Sequence, residues 1–104
     1  MNIIYNKHIR KILKELEKET ISKVTRAIDL LETYGEELKM PNSKRIDRGL
    51  LELRIHGKQE IRIFYTLINE EAYLLHLYVK KTQKTPAKEL RIGKERLNVL
   101  NNYH

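Results

Sequence analysis

Apolar residues in the first third of the chain recur at helical spacing. Ile9, Ile12, Leu13 and Leu16 stand at i, i+3, i+4 and i+7, which predicts an amphipathic helix over residues 7–18 with Asn6 as its N-cap. Glu19 and Thr20 interrupt the pattern, and Thr20 is placed to cap a second helix. That helix carries Ile21, Val24, Ala27, Ile28, Leu31 and Tyr34, and Gly35 closes it. One long bent helix satisfies the same spacing. Residues 3–5 read as a short strand or an irregular entry. Residues 36–49 show no period and are punctuated by Pro41, Asn42 and Gly49.

After Gly49 the period becomes two. Leu51, Leu53 and Ile55 alternate with Glu52, Arg54 and His56, and Gly57-Lys58 forms a turn. Ile61, Ile63, Tyr65 and Leu67 alternate with Glu60, Arg62, Phe64 and Thr66, and residues 69–71 turn again. Tyr73, Leu75, Leu77 and Val79 then alternate with Leu74, His76, Tyr78 and Lys80. Consecutive strands with short turns predict an antiparallel meander. Thr85 as N-cap and Pro86 at the first helical position open a last helix to about Leu100. Leu90, Leu97 and Leu100 are its core candidates, and Gly93 weakens it. The order predicts one α+β domain over residues 1–104.

Alternation also predicts two unlike sheet faces. One collects Leu53, Ile55, Ile61, Ile63, Tyr65, Leu75, Leu77 and Val79, and helices must cover it. The other collects Arg54, His56, Arg62, Phe64, His76, Tyr78 and Lys80, offset by Glu52 and Glu60. Such a face has what RNA processing requires. Arg and Lys hold phosphates, and Phe and Tyr stack on unpaired bases. His, or a Lys of lowered pKa, can move a proton to or from a ribose or leaving oxygen, and Arg can stabilise charge on pentavalent phosphorus. No metal or other cofactor is required for that route, and no His/Asp/Glu group has ligand spacing.

Charge sharpens the picture. The formal net charge is +7; residues 1–37 hold seven basic and seven acidic residues, so residues 38–104 carry the whole excess. That asymmetry suggests a polyanion on the second half. The absence of cysteine excludes a disulfide framework, a Cys-based zinc site and a thiol nucleophile. No apolar run approaches the roughly 18 residues of a membrane span, and no signal-peptide core is visible, so a cytoplasmic protein without membrane partners is expected.

The blocks Gly49-Leu50-Leu51-Glu52-Leu53-Arg54, Ile61-Arg62-Ile63-Phe64-Tyr65 and Leu74-Leu75-His76-Leu77-Tyr78-Val79-Lys80-Lys81-Thr82-Gln83-Lys84-Thr85-Pro86 resemble the phage-derived RelE-like family. That family includes HigB-type toxins of type II toxin–antitoxin systems, and the similarity spans about residues 25–97. The Lys-Lys-Thr-Gln-Lys-Thr-Pro run is its most specific part. The resemblance implies two N-terminal helices on a curved antiparallel sheet with a C-terminal helix, and metal-independent, ribosome-dependent cleavage of mRNA by 2′-hydroxyl attack. It implies catalytic roles for Arg54, Arg62, Lys80 and Lys84. His56, Lys58, Phe64, His76, Tyr78 and Lys81 are expected to bind RNA, although strict alternation turns Lys81 toward the helices. The implied partners are the ribosome, mRNA and a helix-turn-helix (HigA-like) antitoxin, with operator DNA reached only through the antitoxin complex. Tyr103 and His104 read first as a frayed tail and second as site residues. Two other readings stay open: a ParE-like gyrase poison, and a non-catalytic nucleic-acid-binding regulator.

Overall fold

The computed structural model describes residues 1–103. Its elements, in chain order, are β1 (Asn2–Ile4), α1 (Lys7–Glu15), α2 (Lys18–Tyr34), a 3₁₀ turn (Gly35–Glu37), β2 (Ser43–Asp47), β3 (Leu50–Ile55), β4 (Ile61–Ile68), β5 (Glu71–Val79) and α3 (Ala87–Asn101). The α+β class follows the expectation, and the two N-terminal helices are separate. Asn6 caps α1, its side-chain oxygen accepting from the Ile9 N–H at 3.0 Å. Thr20 does not cap α2. The helix begins earlier, at Lys18, and buries Thr20 within itself.

The sheet is larger than the predicted meander. Its order is β1-β5-β4-β3-β2, with β1 parallel to β5 and all other pairs antiparallel. Strand β2 lay in the stretch without a period. It is an edge strand with mixed burial and a register shift between Arg45 and Asp47, which breaks the alternation that would reveal it. Between β4 and β5 only Asn69 and Glu70 intervene, both at positive φ (49° and 63°), as a tight hairpin of the primed type requires.

Three layers result. Helices α1 and α2, with Leu16 between them, pack Ile9, Val24 and Leu31 onto Leu53, Ile55, Ile61, Ile63, Tyr65 and Leu77. Strand β5 departs from the predicted alternation. Its register with β4 shifts between Phe64 and Tyr65, so Leu75 is an extra residue without a partner in the ladder. The bulge places Leu74 and Ala72 in this core and sends Leu75 to the opposite face. That opposite face is not open. Helix α3 lies on it, and Leu90, Leu97 and Leu100 join Leu50, Phe64, Leu75 and Tyr78 in a second core. Gly93 permits the close approach, because a Cβ there would stand 2.7 Å from Phe64 Cδ2. The glycine read as a weak point is therefore a contact point. Helix α3 starts at Ala87 with Pro86 as its N-cap residue and no side-chain cap, so Thr85 stands one position too early for the predicted role.

A candidate site on the charged sheet face

The three central strands bring the predicted polar residues together. Arg54 of β3 stands opposite Arg62 of β4, which stands opposite Tyr78 of β5; Glu52, Phe64 and His76 form the next row. These rows alternate with Leu53, Ile63 and Leu77 on the α1–α2 side. Lys80 extends the ladder, its N–H donating to the Glu60 carbonyl at 2.7 Å.

Charge on this face is paired and much of it is buried. Glu52, with its side chain 4% exposed, lies between two guanidinium groups: Arg54 Nε and Arg62 Nε are each 3.8 Å from its Oε1. The Arg62 side chain is equally buried, and its Nη1 donates to Glu60 Oε2 at 3.2 Å and to the Ile61 carbonyl at 3.0 Å. The same Glu60 oxygen is 2.8 Å from His56 Nδ1, and the Gly57 N–H donates to Glu60 Oε1 at 3.3 Å. Partial burial opposes ionisation of Glu60, but His56, the Gly57 N–H and Arg62 outweigh it and hold the carboxyl below its usual range. A chain Arg54–Glu52–Arg62–Glu60–His56 thus runs from a buried centre to an exposed imidazole.

That centre is incompletely satisfied. Four buried side-chain atoms make no hydrogen bond among the described residues: Glu52 Oε2, Arg54 Nε, Arg62 Nε and Tyr78 Oη. All belong to this one constellation. Burial raises the Tyr78 pKa, with Thr85 offsetting part of the rise, so Tyr78 stays a neutral hydroxyl. Buried polar atoms without partners are uncommon and costly. The two guanidinium groups are arranged on the one oxyanion between them, the Glu52 carboxylate.

A second cluster lies under α3. His76 Nε2 is 3.3 Å from Glu89 Oε2, and Arg96 Nη1 is 3.3 Å from His76 Nδ1 and 2.7 Å from the Leu75 carbonyl. Arginine only donates, so Nδ1 must accept and the neutral ring carries its proton on Nε2, toward Glu89. Burial is the main cause that lowers the His76 pKa; Glu89 opposes it, while Arg96 and His8 add to it. Sequence reading missed Glu89 and Arg96. They stand seven apart on α3 with Gly93 between them, so the helical face that meets the sheet held the signal.

Several expectations need correction. Phe64 was expected to stack on bases, but it is fully buried beneath Gly93; Tyr78 and His76 are covered as well. Their rings contact one another at 5.6–6.4 Å between centroids, an internal aromatic row. Arg62 faces the predicted side but is enclosed by carboxylates and not displayed. Lys58 turns toward α2, 3.7 Å from Glu19. Lys81 and Lys84 are exposed in the segment joining β5 to α3, and Lys80 is half-buried at the strand end. Tyr103 is exposed and borders a groove of about 390 Å³ with Ile4, Tyr5 and Val99, separate from the arginine cluster. His104 lies outside the described residues.

No helix is long and apolar enough to cross a membrane among the described residues. No match was found among curated proteins. Residues 11–98, which include every residue of the arginine–glutamate chain and of the cluster under α3, match the family described as phage-derived protein Gp49-like (DUF891), a family associated with the toxins of toxin–antitoxin systems. The chain belongs to this Gp49-like family.

Proposed function

We propose that this chain is the toxin of a type II toxin–antitoxin pair and acts as a ribosome-dependent endoribonuclease, cleaving mRNA without a metal by attack of the 2′-hydroxyl on the adjacent phosphorus. The carrying observation is the pair of guanidinium groups of Arg54 and Arg62 fixed on either side of the Glu52 carboxylate, with the Arg54 side chain reaching the surface. A phosphodiester that gains charge as it becomes pentavalent is the kind of group such donors stabilise best. Exposed Lys81 and Lys84 and the half-buried Lys80 supply the surrounding field that draws in a polyanion. The cytoplasm is the compartment where this substrate lies. A helix-turn-helix antitoxin is the expected partner, and operator DNA is reached through it.

Arg54 carries the test, because its side chain is about a quarter exposed and its loss disturbs the core less than loss of Arg62. Purified protein is mixed with ribosomes programmed with a defined mRNA, and new RNA ends are mapped by primer extension. The intact protein is expected to cut. Arg54→Ala is expected to cut about 10²–10³-fold more slowly, the loss typical of one charge-stabilising donor. Lys80→Ala and Lys84→Ala are expected to weaken cleavage less. Intact mRNA combined with inhibited gyrase supercoiling would replace this reading with that of a gyrase poison.

A further inference from the structure

The arginine cluster supplies charge stabilisation but no group that moves a proton. Arg54 and Arg62 remain protonated, and the Tyr78 phenol is buried with a raised pKa. His76 is enclosed, with one ring nitrogen facing Glu89 and the other Arg96. On the same face, beyond the last residue of β3, stands His56, whose side chain is 57% exposed.

Its surroundings fix its tautomer. Glu60, an ionised carboxylate, can only accept, so His56 Nδ1 at 2.8 Å must carry the proton. In the neutral ring this tautomer leaves the lone pair on the other nitrogen, Nε2. The tether is rigid on both sides. Glu60 is itself bound by the Gly57 N–H and by Arg62 Nη1, and Lys23 of α2 donates to the His56 carbonyl at 3.4 Å. One carboxylate oxygen therefore contacts both the imidazole and the buried guanidinium, which places a proton acceptor next to the charge stabiliser.

We infer that His56 is the proton-transfer residue of the cleavage reaction and that Glu60 is its positioning residue. The inference rests on the nuclease reading above. In the step, His56 Nε2 takes the proton of the ribose 2′-hydroxyl. The 2′-oxygen forms a bond to phosphorus while the bond from phosphorus to the 5′-oxygen breaks. Arg54, the more exposed of the two arginines, holds the added negative charge, and the buried Arg62 adds its field from behind. The departing 5′-oxygen takes a proton from water, and the hydroxide so formed takes the proton back from the His56 imidazolium, leaving a 2′,3′-cyclic phosphate and a 5′-hydroxyl. Glu60 holds the tautomer and stabilises the imidazolium as it forms.

The test uses the full chain on programmed ribosomes, in single-turnover and steady-state form. His56→Ala is expected to lower the single-turnover rate about 10²–10⁴-fold, the usual contribution of a positioned acid–base group, with little change in the ribosome concentration giving half-maximal rate. Added imidazole should restore at least about tenfold of that loss, which a merely structural histidine would not allow. Glu60→Gln should lower kcat and leave KM in place, because the imidazole loses the carboxylate that orients it. Urea midpoints of all variants serve as the folding control. If the intact protein cuts and His56→Ala cuts within about threefold of it, or if imidazole restores nothing, the assignment fails while the nuclease reading stands. Products ending in a 5′-phosphate would overturn it too. If the intact protein does not cut, the nuclease reading falls and takes this inference with it.

Discussion

The two faces of the sheet are built on different rules. Toward α1 and α2, Leu53, Ile61, Ile63 and Leu77 are sealed among aliphatic neighbours, and the paired Ser43 and Tyr65 hydroxyls are a satisfied polar contact. Toward α3, Phe64 and Leu50 are as deeply buried, yet Glu52, Arg62 and His76 are buried beside them. The four buried polar atoms without partners all belong to this second face. Burial alone does not separate the faces; what is buried does. One face contributes stability, and the other gives some up to hold charges in fixed positions.

The largest expected effect comes from making the second face resemble the first. Arg62→Ala leaves the Glu52 carboxylate buried with Arg54 alone, and should destabilise the fold by about 3–5 kcal/mol in urea unfolding. The double variant Glu52→Leu/Arg62→Met removes the charges together. It should return to intact stability or above it, yet cut no mRNA. If the double variant is as unstable as the single one, the charges are structural and the contrast collapses. Next comes the contact that closes the second face. Gly93→Ala drives a methyl into the Phe64 ring and should cost about 1–3 kcal/mol, read as a lowered urea midpoint. An unchanged midpoint would mean that α3 sits loosely.

The smallest effect is the pH dependence of that closure. The folded His76 pKa lies below its ordinary value near 6.5, so between those values the unfolded chain binds the extra proton. His76 therefore contributes stability that is present above about pH 6.5 and is lost as pH falls through the folded pKa. The carboxylates with lowered pKa, Glu60 and Asp47, act further down, below the ordinary carboxylate range. Urea midpoints between about pH 7 and pH 5 should fall for the intact protein and flatten in His76→Gln. An equal slope in both would assign the effect elsewhere.

How much was legible follows from the same contrast. The first face obeys the binary rule, so α1, α2, β3, β4 and the last part of β5 could be read from spacing. Arg54, Arg62, His56 and Tyr78 were correctly grouped because side chains alternate across a strand. What alternation cannot reveal is a second helix layer. Phe64 and Tyr78 stand at outward positions of their strands, and the cover is indicated on α3 by Leu90, Leu97 and Leu100 with Glu89, Gly93 and Arg96 among them. Strand β2 escaped because its mixed burial gives no period. Leu75 was misplaced because a bulge inserts a residue and leaves the local composition unchanged.

That bulge makes β5 behave like a message with a frame shift inside it. Before it, Tyr73 and Leu75 face α3; after it, His76 and Tyr78 do. Substitutions along β5 are local events, but the loss of one residue at Leu75 would put the two halves back in phase. Ala72 and Leu74 would keep the aliphatic side and His76 and Tyr78 the α3 side, so the deletion would heal the ladder and remove only the leucine that fills the second core.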